Sequence, residues 1–366
     1  MPDMVELADI FRDYGPAYRD KYGPRMLPSH LAAMRAIEQC RTEVLGGHLY
    51  YCADCDETWY SYHSCRNRHC PKCQQDAAQQ WLERQQELLL PVPYFMVTFT
   101  LPQPLRSLAR TEQKTIYNLL FRTAAESLQQ LAHDPRFVGG QIGMVGILQT
   151  WTRDLRYHPH VHFLVPGGAL STDGQRWLRA KNHFFVHVKP LAKLFRSKMR
   201  DGLRKVGLLP QTPASVWRQA WVVDCRPVGK GESALKYLAP YVFRVALSNK
   251  RILKLENGQV TFSYQDGETK LQRTCTLSAE AFIHRFLQHV LPRGFVKVRY
   301  YGLLAPSSRS RLAQAKRLLG ISTDPQVESQ TSDQEGPQEE KVVACPHCGQ
   351  PMTPIQHIRP RPRQPP

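Results

Sequence analysis

Between Cys40 and Cys73 the chain places six cysteines and three histidines: Cys40, His48, Cys52, Cys55, His63, Cys65, His69, Cys70 and Cys73. No other stretch restricts the fold as much, because side chains this dense in sulfur and imidazole must meet one another or a metal. The first residues, Met1 to Glu6, lack a basic segment followed by an apolar one, so no secretory leader is expected. The thiols are therefore expected to be reduced and to bind metal. Two C-x-x-C knuckles, Cys52/Cys55 and Cys70/Cys73, have the spacing of a closed tetrahedral zinc site, and their four thiolates are assigned one structural Zn2+. Cys40 with His48, and Cys65 with His69, would supply a second, interleaved zinc. The alternative is a single zinc. Near the C-terminus Cys345 and Cys348 offer half a site that His347 or His357 could assist; an inert tail is the other reading.

The 366 residues carry a formal charge of +18, and the pI is about 9.6. That surplus favours a polyanionic partner, with nucleic acid first. Trp59, Tyr60 and Tyr62 precede Arg66, Asn67, Arg68 and Lys72 between the knuckles. Rings stack on bases and cations hold phosphates, so Arg66, Arg68 and Lys72 are candidate DNA contacts. No apolar run is long enough to span a bilayer, so no membrane partner is expected, and a cytoplasmic location is.

Helical spacing covers residues 5–40, interrupted by Pro24 and Pro28, and again 74–90, 112–132, 190–207, 233–248 and 278–290. Strands are expected at 94–101, 143–151, 160–165, 221–224, 259–265, 270–277 and 295–301. A basic helix at 309–317 leads into an acidic stretch, 321–340, rich in Ser, Gln and Pro and read as a linker. The mixture is an α+β chain. Its expected divisions are a helical leader (1–28), a zinc-binding DNA-recognition domain (29–90), a catalytic domain (91–305), a basic helix with the linker (306–341) and a C-x-x-C tail (342–366).

Within the catalytic stretch, Tyr157-His158-Pro159-His160-Val161-His162 puts His160 and His162 on one face of a strand, where they can share a divalent ion. Some 75 residues later Tyr237 and Tyr241 stand four apart, a same-face spacing on a helix, although Pro240 between them kinks or restarts that helix. A phenol is a poor nucleophile at its free pKa of about 10, and a metal that polarises a phosphodiester makes its attack feasible. The third ligand is assigned first to Gln149, with Asp154, Glu232 and His158 as alternatives. Arg244, one turn past Tyr241, is a candidate phosphate clamp.

His160-Val161-His162 resembles the His-hydrophobic-His motif of the rolling-circle (HUH) nucleases. With Tyr237/Tyr241 and the cysteine-rich leader, the chain resembles the two-tyrosine transposases of the insertion-sequence-91 family. The likeness runs from about Cys40 to Gly320. It includes Ser64-Cys65-Arg66-Asn67-Arg68-His69-Cys70-Pro71-Lys72-Cys73-Gln74, His158 to His162 with Pro166-Gly167-Gly168, Tyr237-Leu238 with Tyr241 to Ala246, and Arg299-Tyr300-Tyr301-Gly302-Leu303-Leu304. The resemblance implies an HUH-type nuclease core, an antiparallel sheet with flanking helices, preceded by the cysteine-rich zinc-binding domain. It also implies nicking and rejoining of single-stranded or hairpin DNA at insertion-sequence ends through a 5′-phosphotyrosine. Mg2+ or Mn2+ would serve as catalytic ion in a bacterial, nucleoid-associated setting. The rivals are a plasmid or phage rolling-circle replication initiator and a non-catalytic zinc-finger DNA-binding regulator.

Overall fold

The computed structural model describes residues 5–74, 85–86, 88–181, 185–231, 233, 246–267, 269–321 and 343–361. Most of the helices expected over 74–90 and 233–248, and the acidic stretch, fall outside these residues.

Helices α1 (Leu7–Tyr22) and α2 (Pro28–Glu38) lead into a hairpin of β1 (Gly47–Cys52) and β2 (Glu57–Tyr62). Next come β3 (Pro93–Thr100), α3 (Arg106–Thr111), α4 (Gln113–His133), β4 (Gly143–Trp151) and β5 (Tyr157–Pro166). The short pair β6 (Gly168–Leu170) and β7 (Trp177–Arg179) precedes α5 (Val188–Lys205), α6 (Ser215–Arg218) and β8 (Val223–Lys230). The chain then forms β9 (Ile252–Glu256), β10 (Gln259–Gln265), β11 (Gln272–Ser278), α7 (Ala279–Leu287), β12 (Val298–Gly302), α8 (Arg309–Leu318) and β13 (Thr353–Ile358).

The central sheet has the order β12-β4-β5-β3-β8, every neighbouring pair antiparallel. Its β-branched and aromatic residues divide by alternation. Phe95, Val97, Phe99, Val161, Phe163 and Val165 pack under α4 and α5, against Leu120, Phe121, Leu191 and Phe195. Phe99 meets Phe163 and Phe195 edge-on, at 5.8 and 5.0 Å between ring centres, and such pairs add about 0.5–1.5 kcal/mol each beyond the area they bury. The opposite face carries Tyr94, Met96, Val145, Ile147 and Leu164, closed at one end by Leu304 and Leu312. At its other end lie the histidines.

A second apolar cluster joins α1, α2 and α7 to β10, through Phe11, Met34, Ile37, Phe262, Phe282 and Phe286. The β9–β10 turn is Asn257-Gly258, both with positive φ (49° and 71°), as a two-residue hairpin of this type requires. Ser278 caps α7 by accepting a hydrogen bond from the Ala281 amide at 3.2 Å. A third sheet, β13-β1-β2, brings the last described strand onto the cysteine hairpin. The basic helix α5 covers the sheet face opposite the histidines. Part of its charge is used internally: Arg196 donates to the Trp217 carbonyl (3.3 Å), and Arg204 pairs with Asp201 (2.8 Å).

Candidate active site and metal centres

β5 lies between β4 and β3, and the register fixes which side chains share the histidine face. His162 stands opposite Ile147 and Thr98; His160 stands opposite Gln149 and Thr100. Directly opposed residues project from the same side of an antiparallel pair, so His160, His162 and Gln149 converge. The His160 and His162 rings lie 4.7 Å apart and nearly perpendicular (87°). His160 Nδ1–H donates to the His158 carbonyl at 2.6 Å, which leaves the lone pair on Nε2. Nδ1 of His162 is engaged by Thr98 Oγ1 at 2.9 Å. One ring nitrogen held by an oxygen while the other faces the site is how ligating histidines are oriented. Burial pushes the His160 pKa down to about 4, so the ring is neutral near pH 7, as a ligand must be.

Gln149 is buried, and its Nε2 has no hydrogen-bond partner among the described residues. An unsatisfied buried amide costs about 1–3 kcal/mol. The amide oxygen of the same side chain, beside the two imidazoles, is the kind of donor a hard divalent ion takes. The residues therefore fit a small divalent ion. Among the described residues no third His, Cys or carboxylate joins His160 and His162 in a common ligand set. Asp154 is engaged by Arg156 (2.7 Å) and Thr152. His158 accepts a hydrogen bond from Arg106 Nη2 at 2.6 Å; burial first, then His160 and Arg106, depress its pKa to about 4. Glu232, Tyr237, Tyr241 and Arg244 lie outside the described residues.

The three histidines and Gln149 open into a cavity of about 560 Å³, whose rim includes Arg153, Arg156 and, from the β9–β11 side, Arg251 and Tyr264. Sequence reasoning missed Arg106, Arg153, Arg156 and Thr98. Strand register brings Thr98 to His162, while Arg153 and Arg156 come from the β4–β5 turn and Arg106 from the start of α3.

The cysteines group otherwise than the knuckle spacing suggests. One tetrad is Cys40, Cys65, Cys70 and Cys73; the other is Cys52, Cys55, Cys345 and Cys348; within each, all sulfurs lie within 4.8 Å of one another. The expected set Cys52/Cys55/Cys70/Cys73 is thus divided between the two. The hairpin carries Cys52 and Cys55 away with β1 and β2, while Cys70 and Cys73 fold back under α2. His48 and His69 belong to neither tetrad. The His48 ring packs against His63 and His357, at 5.5 and 5.1 Å. His69 is half-buried and accepts a hydrogen bond from the Leu291 amide at 3.3 Å, with its pKa pushed down to about 3, chiefly by desolvation. In the first tetrad Cys73 Sγ lies 3.6 Å from both Cys40 Sγ and Cys65 Sγ. Four sulfurs about 2.3 Å from one zinc stand about 3.8 Å apart, so the spacing fits Zn2+.

Two of the expected DNA contacts have other partners. Arg68 turns inward and donates to the carbonyls of Phe295 and Pro292, the latter at 3.0 Å, in the loop before β12. Lys72 pairs with Glu6 at 2.6 Å. Arg66 is exposed.

A family model described as "Putative transposase" matches residues 143–311, and one described as "Transposase zinc-binding domain" matches residues 10–101. The chain is 39% identical to "Putative transposase y4qJ" of Sinorhizobium fredii, over 94% of this chain and 93% of that protein. It is 31% identical to "Transposase for insertion sequence element IS801" of Pseudomonas savastanoi pv. phaseolicola, over 73% of this chain and 68% of that protein.

Proposed function

The chain belongs to the insertion-sequence-91 family of transposases, and on that premise we propose that it nicks and rejoins single-stranded DNA at element ends through a 5′-phosphotyrosine, driving rolling-circle-type transposition. The observation that carries this reading is the convergence of His160, His162 and the unpartnered Gln149 amide at the base of an arginine-rimmed cavity.

His160 and His162, through Nε2, and Gln149, through its amide oxygen, would hold the ion. Bound there, Mg2+ or Mn2+ supplies positive charge to a scissile phosphate. Arg153 and Arg156 grip flanking phosphates, which orients the strand without reading its sequence. The Oη of Tyr237 or Tyr241 attacks phosphorus in line as it loses its proton. The bond to the 3′ oxygen breaks, that oxygen takes up a proton, and the phosphate stays on tyrosine. Attack by the 3′ hydroxyl of another strand reverses the step and joins it. Two tyrosines allow one end to stay attached while a second strand is cut. Arg244 and Arg66 remain candidates for further phosphate contacts, and the zinc-bearing segment 29–90 for reading the single-stranded or hairpin ends.

The test is direct. Protein, single-stranded DNA carrying candidate ends, and Mn2+ are incubated and run on a denaturing gel. A covalent adduct is expected, abolished in the Tyr237→Phe/Tyr241→Phe double variant and assigned to one nucleophile by the single variants. No adduct on any element end would sink the tyrosine-nuclease reading.

A further inference from the structure

We propose that Cys52, Cys55, Cys345 and Cys348 hold a second structural zinc ion, which clamps the C-terminal strand β13 onto the cysteine hairpin. The ligands come from the two ends of the chain. Cys52 Sγ lies 3.6 Å from Cys348 Sγ, and Cys345 Sγ lies 3.9 Å from Cys55 Sγ, while all four cysteines are free of disulfides. These separations bracket the sulfur spacing of about 3.8 Å around a tetrahedral zinc. Two C-x-x-C pairs close the site completely, so it has no open position for substrate and is structural.

The surroundings are those of a docked tail. β13 pairs with β1 from Gly47↔Ile358 to Tyr51↔Thr353. Beyond it the Arg361 amide donates to the Val44 carbonyl at 3.1 Å, and the Arg361 side chain meets Glu43. Gly46, at φ +68°, is shaped for this contact: a Cβ there would come within 2.5 Å of the Ile358 carbonyl and 2.8 Å of Pro360 N. On the cysteine side the Cys345 amide donates to the Gln350 carbonyl at 2.7 Å, folding the knuckle back on itself. The apolar content is thin. Only Cys52, Cys345 and Met352 are fully buried here, with Tyr50, Cys55 and Val343 beside them. Six residues of edge strand on so small a cluster are marginal in water, so the metal is what secures them. The zinc-binding family match ends at residue 101, so half of this ligand set lies beyond it.

The clamp can be tested without strand-transfer activity. Zinc per chain is measured by mass spectrometry on the full-length protein and on Cys345→Ser/Cys348→Ser. One ion for each of the two tetrads is expected in the wild type, and loss of one of them in the variant with circular dichroism unchanged. A specific protease site is then placed in the acidic stretch 321–340 of both proteins. After cleavage, the wild-type C-terminal fragment should co-elute with the body on gel filtration. The variant's fragment should separate although the body keeps its remaining zinc. A single zinc in the wild type, full zinc content in the variant, or a wild-type fragment that leaves without chelation would each overturn the clamp.

Discussion

Cys40, Cys70 and Cys73 are buried among the side chains of α1, α2 and α7, whereas Cys348 stands exposed beside a cluster of three buried residues. Both tetrads present four thiolates at the same spacing. What differs is the material each holds. The first is built into a core that includes Phe11, Met34, Phe282 and Phe286, so its ligands are also packing residues. The second fastens one short strand to a surface hairpin. Identical coordination can therefore be a keystone in one place and a clasp in another.

The sharpest way to break this comparison is Cys70→Ser. It removes a thiolate and leaves a hydroxyl in a site 1% exposed. Structural zinc supplies about 10 kcal/mol or more of folding free energy, so the cluster around α1, α2 and α7 should come apart. Thermal unfolding should show that region melting more than 10 °C early, on the scale of a few kcal/mol lost from a domain. Cys348→Ser should instead lower the main transition by only a degree or two while it removes one zinc. If the two variants melt alike, the keystone and the clasp are not different.

A second prediction concerns acid. His289 donates through Nε2 to the Leu155 carbonyl at 3.1 Å and faces Thr150 Oγ1 through Nδ1 at 3.3 Å, which fixes a neutral ring. Burial pushes its pKa down to about 4, against about 6.5 in an unfolded chain. The folded state thus binds fewer protons, and stability rises with pH between these values. The contribution is full above about pH 6.5 and is lost as pH falls through 4, a span worth about 3 kcal/mol. Urea midpoints of the wild type should decline over that window. His289→Gln should flatten the decline. An equal slope in both would remove His289 as the cause.

These two regions also differ in how legible they were from the sequence. β4, β5, α4 and α8 follow from periodicity because each periodic pattern is local, and the His160/His162 pair needs only alternation on one strand. The tetrads are not local. Cys52 meets Cys348 across 296 residues, and nothing in either knuckle's spacing names its partner. The same holds for Arg68: a guanidinium among aromatics reads as a phosphate contact, yet the backbone carbonyls at 292 and 295, over 220 residues away in sequence, claim it. Strands β1, β2 and β13 were also hidden, since Trp59, Tyr60 and Ile355 are exposed and the strands show no buried alternate face. Gly46→Val probes that concealed contact. It should loosen β13 without touching a ligand, costing about 1–3 kcal/mol from the clash and the φ it forbids, and it should speed amide exchange at 353–358 while zinc content stays unchanged.

The smallest effect has the opposite sign. At the histidine face the proposed metal centre rests on a rigid sheet rather than on thiols drawn from distant segments, so losing the ion should not unfold it. Gln149 has an Nε2 without a partner among the described residues there, 5% exposed overall on a strand that is buried along its length. Replacing it with leucine removes a polar group left without a bond, which should leave metal-free stability unchanged or raise it by about 1 kcal/mol. The same change deletes the proposed ligand oxygen and should weaken Mn2+ binding at least tenfold by calorimetry, about 1.4 kcal/mol in binding free energy. A residue that costs the empty fold and serves only the loaded one is the mark of a functional site. If Gln149→Leu lowers the melting point and leaves Mn2+ binding intact, the glutamine is a packing residue and the third ligand must be sought elsewhere.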